Sequence, residues 1–167
     1  MAGLPGVGKS TLARALAPRL GATVLDKDRI RGALFAPSLV DYSRAQDDFC
    51  VDVMYRTAQW MLCRDPQARV ILDGRTYSRA DQIDTLRDWA ADIDVALRVI
   101  ECTCADAVAL ARIDRDRCAG DHPAANRDAA LYRRVQAGAD PIGEPKLLVD
   151  TSHPLDVCVA TCLRYLT

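Results

Sequence analysis

Residues 1–10, MAGLPGVGKS, decide how this chain is read. From Gly3 to Ser10 they satisfy G-x-x-x-x-G-K-[ST] at every position. Leu4, Pro5, Gly6 and Val7 fill the free places, Gly8 and Lys9 the fixed ones, and Thr11 follows. This is the Walker A pattern of a phosphate-binding loop. Its glycines let the backbone turn tightly and aim N–H groups at phosphate oxygens. A helix starting beside Lys9 adds the positive end of its dipole. In such a loop the lysine reaches the β- and γ-phosphates, and the hydroxyl of Ser10 ligates Mg²⁺. Leu12, Ala13, Leu16 and Leu20 follow at helical spacing, which is the context the loop needs. Residues 3–11 are therefore the candidate nucleotide-binding segment.

The rest of the composition bounds the answer. A chain of 167 residues suits one domain with a real core. Half of it is apolar, 27% is charged, and the formal net charge is −1. That balance argues against an extended nucleic-acid interface, which needs many Lys and Arg contacts to phosphates. It leaves room for a site that grips one nucleotide or one strand end. No apolar run is long enough to span a membrane, and no signal peptide is visible, so a cytoplasmic protein is expected. The seven cysteines are odd in number and form no C-x-x-C, so they are expected to be buried, reduced thiols. His122 and His153 lack metal-ligand spacing.

Strand-like and helix-like segments alternate, as in an α/β domain with a mainly parallel sheet. Strands are expected at 22–26, 68–74, 94–102 and 146–150. Helices are expected from residue 9, where Pro18 should kink or shorten the helix, and at 28–35, 49–62, 79–92, 105–117, 127–137 and 154–166.

LDKDRIR, residues 25–31, comes straight after the second strand-like segment. A phosphoryl-transfer enzyme must orient its acceptor hydroxyl, and a carboxylate within hydrogen-bond reach can do so. Asp28 stands where a strand's carboxyl end faces a ligand crevice. Arg31, three residues on, could share its face and bind an anionic acceptor. The other reading is a helix N-cap formed by Asp26 or Asp28. The phosphate loop upstream favours the first.

GLPGVGKSTLA followed by LDKDRIR resembles the small P-loop kinases. These include polynucleotide 5′-kinases, adenylylsulfate kinases, gluconate kinases, chloramphenicol phosphotransferases, zeta-type toxins and many bacterial AAA-type ATP-binding proteins. The resemblance covers nearly the whole chain in element order. It implies a three-layer P-loop NTPase fold, with a parallel sheet of about five strands flanked by helices. It implies one kinase domain over residues 1–167, with ATP and Mg²⁺ as cofactors and a hydroxyl-bearing acceptor. It makes Asp28 the orienting carboxylate and places Arg31 at the acceptor. Asp73, in VILDGRT, resembles the second acidic motif that holds the Mg²⁺ hydration shell. Arg75 and Thr76 look like the family's acceptor-side segment. An arginine-rich lid is implied at about 110–130, where Arg112 and Arg115 would clamp the transferring phosphate. Arg112 and Arg115 share a helix face, whereas Arg117 points elsewhere. Asp114 and Asp116 alternate with these arginines, so a solvated face is the competing reading. Asp150, Thr151 and Ser152 are candidates for the base pocket, and His122 belongs to the lid loop.

Only Met1 and Ala2 precede the loop, where related kinases have a central strand. Without that strand its neighbours would keep unpaired backbone groups, each costing about 1–3 kcal/mol. Met1 and Ala2 therefore read as the end of a truncated first strand, unless another segment or chain fills the slot. A nucleotide-binding regulator with little turnover, or an inactive fragment, is the rival to the kinase. Neither the acceptor nor the oligomeric state is legible.

Overall fold

Gly8 (φ 86°) and Gly21 (φ 60°) bracket the first helix, each in a left-handed conformation that favours glycine. A computed structural model describes residues 1–119 and 128–166. In chain order it contains α1 (Lys9–Leu20), β1 (Thr23–Asp26), α2 (Lys27–Leu34), a 3₁₀ turn (Pro37–Leu39), α3 (Arg44–Arg64), β2 (Val70–Asp73) and α4 (Ala80–Asp92). Then come β3 (Ile100–Thr103), α5 (Asp106–Ala119), α6 (Ala129–Ala137), β4 (Leu147–Asp150) and α7 (Leu155–Leu166). Arg127 and the expected lid loop with His122 lie outside the described residues.

Several expectations need correction. Pro18 does not end α1 early, because it sits in the last turn, where little of the hydrogen-bond ladder remains to be lost. The strand expected at 94–102 is shorter and later. Asp94 N–H bonds to Ala91 O and Val95 N–H to Ala90 O, so this stretch terminates α4 before β3 can begin.

The strands pair in parallel as β1–β2 and β3–β4. Thr23 faces Val70 and Asp26 faces Asp73; Ile100 faces Leu147 and Thr103 faces Asp150. A single sheet of about five strands was expected; the described residues form two two-stranded sheets instead. Met1 and Ala2 lie between them. The Met1 amino nitrogen donates to Leu72 O at 2.9 Å. Ala2 bridges Glu101 in parallel, through Ala2 N–H to Ile100 O (2.8 Å) and Cys102 N–H to Ala2 O (2.9 Å). Two residues make too short a ladder to form a strand.

Apolar side chains collect in two clusters on either side of these strands. One joins Val7, Leu12 and Leu16 to Ile100, Val149 and Cys162. The other joins Ala2, Val51 and Met54 to Tyr77, Ile83 and Leu86. The phosphate loop leaves the strands where the clusters meet. Among the described residues no helix is long and apolar enough to cross a membrane. Five cysteines are buried or half-buried, but Cys63 and Cys118 are exposed, against expectation.

Candidate active site

Neighbouring backbone fixes the phosphate loop. Gly3 has φ 125°, and a Cβ there would come within 2.3 Å of Cys102 O. A Cβ at Gly6 (φ 77°) would come within 2.6 Å of Ala109 O on α5. Gly3 N–H donates to Thr76 O at 2.9 Å. Lys9 is only 4% exposed, and its ammonium donates to the carbonyls of Gly3 and Leu4, both at 2.7 Å.

A cleft of about 520 Å³ runs along the loop, lined among others by Gly6, Gly8, Lys9, Ser10 and Thr11. Across it stand Arg112 and Arg115 of α5. Arg112 Nη1 donates to Thr151 Oγ1 (3.0 Å) and Nη2 to Thr151 O (2.8 Å). Thr151 Oγ1 in turn donates to Val7 O at 2.7 Å, with Thr103 O as the other acceptor at 3.1 Å. One arginine is thus tied to the phosphate loop through one hydroxyl. Arg115 is exposed at the rim and lies 3.5 Å from Asp116. Arg117 does not line the cleft and pairs with Asp114 at 3.8 Å. Of the base-pocket candidates, Thr151 lines the cleft. Ser152 instead donates N–H and hydroxyl to Asp150 Oδ1, at 2.9 and 2.6 Å.

Register brings two carboxylates to adjacent strand ends, Asp26 on β1 and Asp73 on β2. Asp26 caps α2 by accepting from Asp28 N–H (2.9 Å) and Arg29 N–H (3.3 Å), so Asp26 and not Asp28 is the cap. Asp26 also lines the nucleotide cleft, a role the sequence reading missed. Asp73 is 1% exposed and its Oδ1 has no hydrogen-bond partner. A buried, unpartnered carboxylate oxygen is costly unless something positive or protic meets it. Ser10, Asp73 and Asp26 are hard oxygen donors, and Mg²⁺ is typically held by one or two carboxylates together with phosphates and water. Ser10 and Asp26 on the cleft fit that ion, and Asp73 ends the neighbouring strand without lining the cleft.

Asp28, Arg31 and Lys27 are buried together with the side chain of Asp47 against them. Arg31 Nη1 donates to Asp28 Oδ1 at 2.6 Å, and Nη2 to Asp47 Oδ1. Lys27 Nζ lies 3.5 Å from Asp28 Oδ1 and 3.0 Å from Asp47 Oδ1. Burial works against the Arg31 charge, but Asp47 and Asp28 outweigh it and hold the guanidinium pKa above its ordinary value. The arginine stacks over the Tyr42 ring at 5.1 Å. Arg75 Nη2 is 2.6 Å from Asp48 Oδ1. Arg31 and Arg75, expected to meet the acceptor, are both held by carboxylates of α3. Asp47 and Asp48 escaped the sequence reading because nothing local joins α3 to residues 31 and 75. Thr76 places its hydroxyl 3.0 Å from that of Ser78.

Residues 1–141 match the family model described as AAA domain. No curated protein matches the chain. Among solved structures, it is similar to a candidate kinase from Chloroflexus aurantiacus, with TM-score 0.75, 25% identity and coverage of 99% of this chain and 96% of that one. It is also similar to the Mycobacterium tuberculosis APS kinase, with TM-score 0.71, 19% identity and coverage of 99% and 94%. A gluconokinase from Sinorhizobium meliloti matches with TM-score 0.70, 19% identity and coverage of 99% and 88%. The P-loop NTPase-like α/β fold and the likeness to small P-loop kinases therefore extend over the chain.

Proposed function

We propose, from the premise that this chain belongs to the AAA domain family, that it is a kinase moving the γ-phosphate of ATP, with Mg²⁺, to an acceptor hydroxyl. The observation that carries this reading is the shared cleft. Gly8, Lys9 and Ser10 face Arg112 and Arg115 across it, with Asp26 on the same wall. Phosphoryl transfer is catalysed by positioning and electrostatic stabilisation, and this arrangement supplies both.

In this reading the loop amides of residues 3–11 and Lys9 bind the phosphate chain. Ser10 and Asp73, with Asp26 beside them, would hold Mg²⁺, which neutralises developing charge when bound. Asp28 orients the acceptor hydroxyl through Oδ2, since both of its cationic contacts fall on Oδ1. Arg31 and Lys27 fix that carboxylate, and Arg75 and Thr76 shape the acceptor side. Arg112 neutralises charge at the loop, and Arg115 approaches from the rim. Helix α5 then serves as the stem of a lid spanning about 110–130 in a single kinase domain. The two strand pairs count as one parallel sheet of about five positions, with Met1 and Ala2 in the middle place. Free cysteines suit a reducing compartment, and we place the enzyme in the cytoplasm.

Transfer of label from γ-labelled ATP to a panel of hydroxyl compounds and a 5′-hydroxyl oligonucleotide tests the reading. Label should appear with one class and vanish in Lys9→Ala and Asp28→Asn. Tight ATP binding without transfer to any acceptor would replace the kinase with a nucleotide-binding regulator.

A further inference from the structure

Asp47 and Asp48 are neighbours near the start of α3, and each meets an arginine that the sequence reading gave to the acceptor. Asp47 Oδ1 accepts from Arg31 Nη2 and lies 3.0 Å from Lys27 Nζ. Asp48 Oδ1 lies 2.6 Å from Arg75 Nη2. Lys27, Asp28 and Arg31 are buried, whereas the Asp47 side chain is 37% exposed. The cluster therefore meets solvent through the Asp47 carboxylate.

That carboxylate is held in place by its own helix start. Ser43 Oγ caps α3 by accepting from Gln46 N–H at 3.1 Å. The Gln46 amide donates to Leu39 O at 2.9 Å and accepts from Asp41 N–H at 3.3 Å. The segment before α3 is thus tied to the residue next to Asp47. The helix dipole favours a negative charge in this first turn. Guanidinium and ammonium groups hold carboxylate, phosphate and sulfate through the same charge-assisted hydrogen bonds. Asp47 is therefore a built-in competitor of any external oxyanion for Arg31 and Lys27. A group on the same chain competes at an effective concentration of at least the millimolar order. An anion that entered would also meet the Asp28 and Asp47 charges at close range, a repulsion that discriminates between ligands.

We propose that Asp47 is a specificity-determining residue. It occupies the oxyanion place on Arg31 and Lys27, and so turns away acceptors that carry a phosphate, sulfate or carboxylate beside the reacting hydroxyl. The inference rests on the kinase reading for the word acceptor, but the oxyanion place is measured without turnover. The test uses the full chain with its phosphate loop filled by Mg²⁺ and a non-hydrolysable ATP analogue, so that sulfate cannot enter there. In calorimetry, sulfate should bind Asp47→Ala at least about tenfold more tightly than the unsubstituted chain. Asp47→Asn, of nearly the same size, should gain less in the same direction, and it serves if Asp47→Ala does not fold. Adding Arg31→Met to either variant should abolish the gain, while Lys27 keeps its place 3.5 Å from Asp28 Oδ1. A merely structural Asp47 would lower stability without any gain in sulfate binding. Equal sulfate affinity with and without the carboxylate, or a gain that survives Arg31→Met, would overturn the proposal. Label transfer is the separate readout. A sulfate gain without transfer to any acceptor would sink the kinase reading and leave the oxyanion place standing.

Discussion

On the side of β3 and β4, uncharged partners fix the phosphate loop: Thr151 Oγ1 reaches Val7 O, and Ala2 exchanges backbone bonds with β3. On the side of β1 and β2, the neighbouring side chains are fixed by charge: Lys27 and Arg31 against Asp28 and Asp47. A hydrogen bond between neutral groups contributes about 1 kcal/mol net and demands a geometry. A buried ion pair adds little net stability when intact, yet losing one partner strands the other's charge. The β3–β4 side is thus built to hold a shape, and the β1–β2 side to hold a charge balance.

Lys9 holds the loop itself, through the carbonyls of Gly3 and Leu4, and its loss should have the largest effect. Lys9→Ala is expected to lower kcat/KM for label transfer by about 10²- to 10³-fold, the scale of deleting one transition-state contact. Cutting the charged side comes next. Arg31→Met leaves Asp28 and Lys27 buried with their balance broken, and urea unfolding should show a loss of about 3 kcal/mol. Asp47 is partly exposed, which keeps the figure at the low end. Cutting the neutral side should cost less. Thr151→Val removes the link from Arg112 to Val7, and about 1–2 kcal/mol of stability with it. KM for ATP should rise, and Thr151→Ser should restore it. If Thr151→Val destabilises more than Arg31→Met, the contrast between the two sides fails.

The smallest effect concerns pH. Hydrogen bonds from Gln136 and Tyr132 hold the Asp106 carboxyl below its ordinary pKa. A depressed pKa gives stability that is present above the unfolded value, about 3.9, and is lost as pH falls through the folded one. Protection factors of the α6 amides, which divide out the pH dependence of intrinsic exchange, should therefore stay flat from neutrality to about pH 4 and fall below it. Tyr132→Phe should reduce that acid sensitivity.

Much of the phosphate loop's setting was legible because it is local. The loop motif, the helix behind it and the carboxylates ending β1 and β2 are each set by neighbours in sequence. The charged cluster between α2 and α3 was not. Asp47 lies 16 residues from Arg31, and Asp48 lies 27 from Arg75. Only packing of α3 against α2 brings such pairs together, so a reading of residues 25–31 alone left Arg31 free to bind an anion. Asp26 was visible but misjudged, since a capping carboxylate and a cleft-lining one look identical in sequence. The shortened β3 has the same origin, because residues 94–102 carry a strand's composition while the end of α4 uses their first amides.

The three loop glycines answer to different neighbours, and this bears on how such a chain could drift. Gly3 is held by the carbonyl of Cys102 and Gly6 by that of Ala109, both backbone atoms that cannot step aside. The nearest atoms to a Cβ at Gly8 belong to the side chains of Arg112 and Thr151, at 3.4 Å. Gly3→Ala should thus lower the unfolding midpoint in urea even when no nucleotide is present. In a descendant that had abandoned phosphate, Gly8 would answer chiefly to its own left-handed turn, whereas Lys9 would still hold the carbonyls of Gly3 and Leu4. Gly3 and Gly6 would persist as architecture, so the first glycines of the motif would outlive its chemistry.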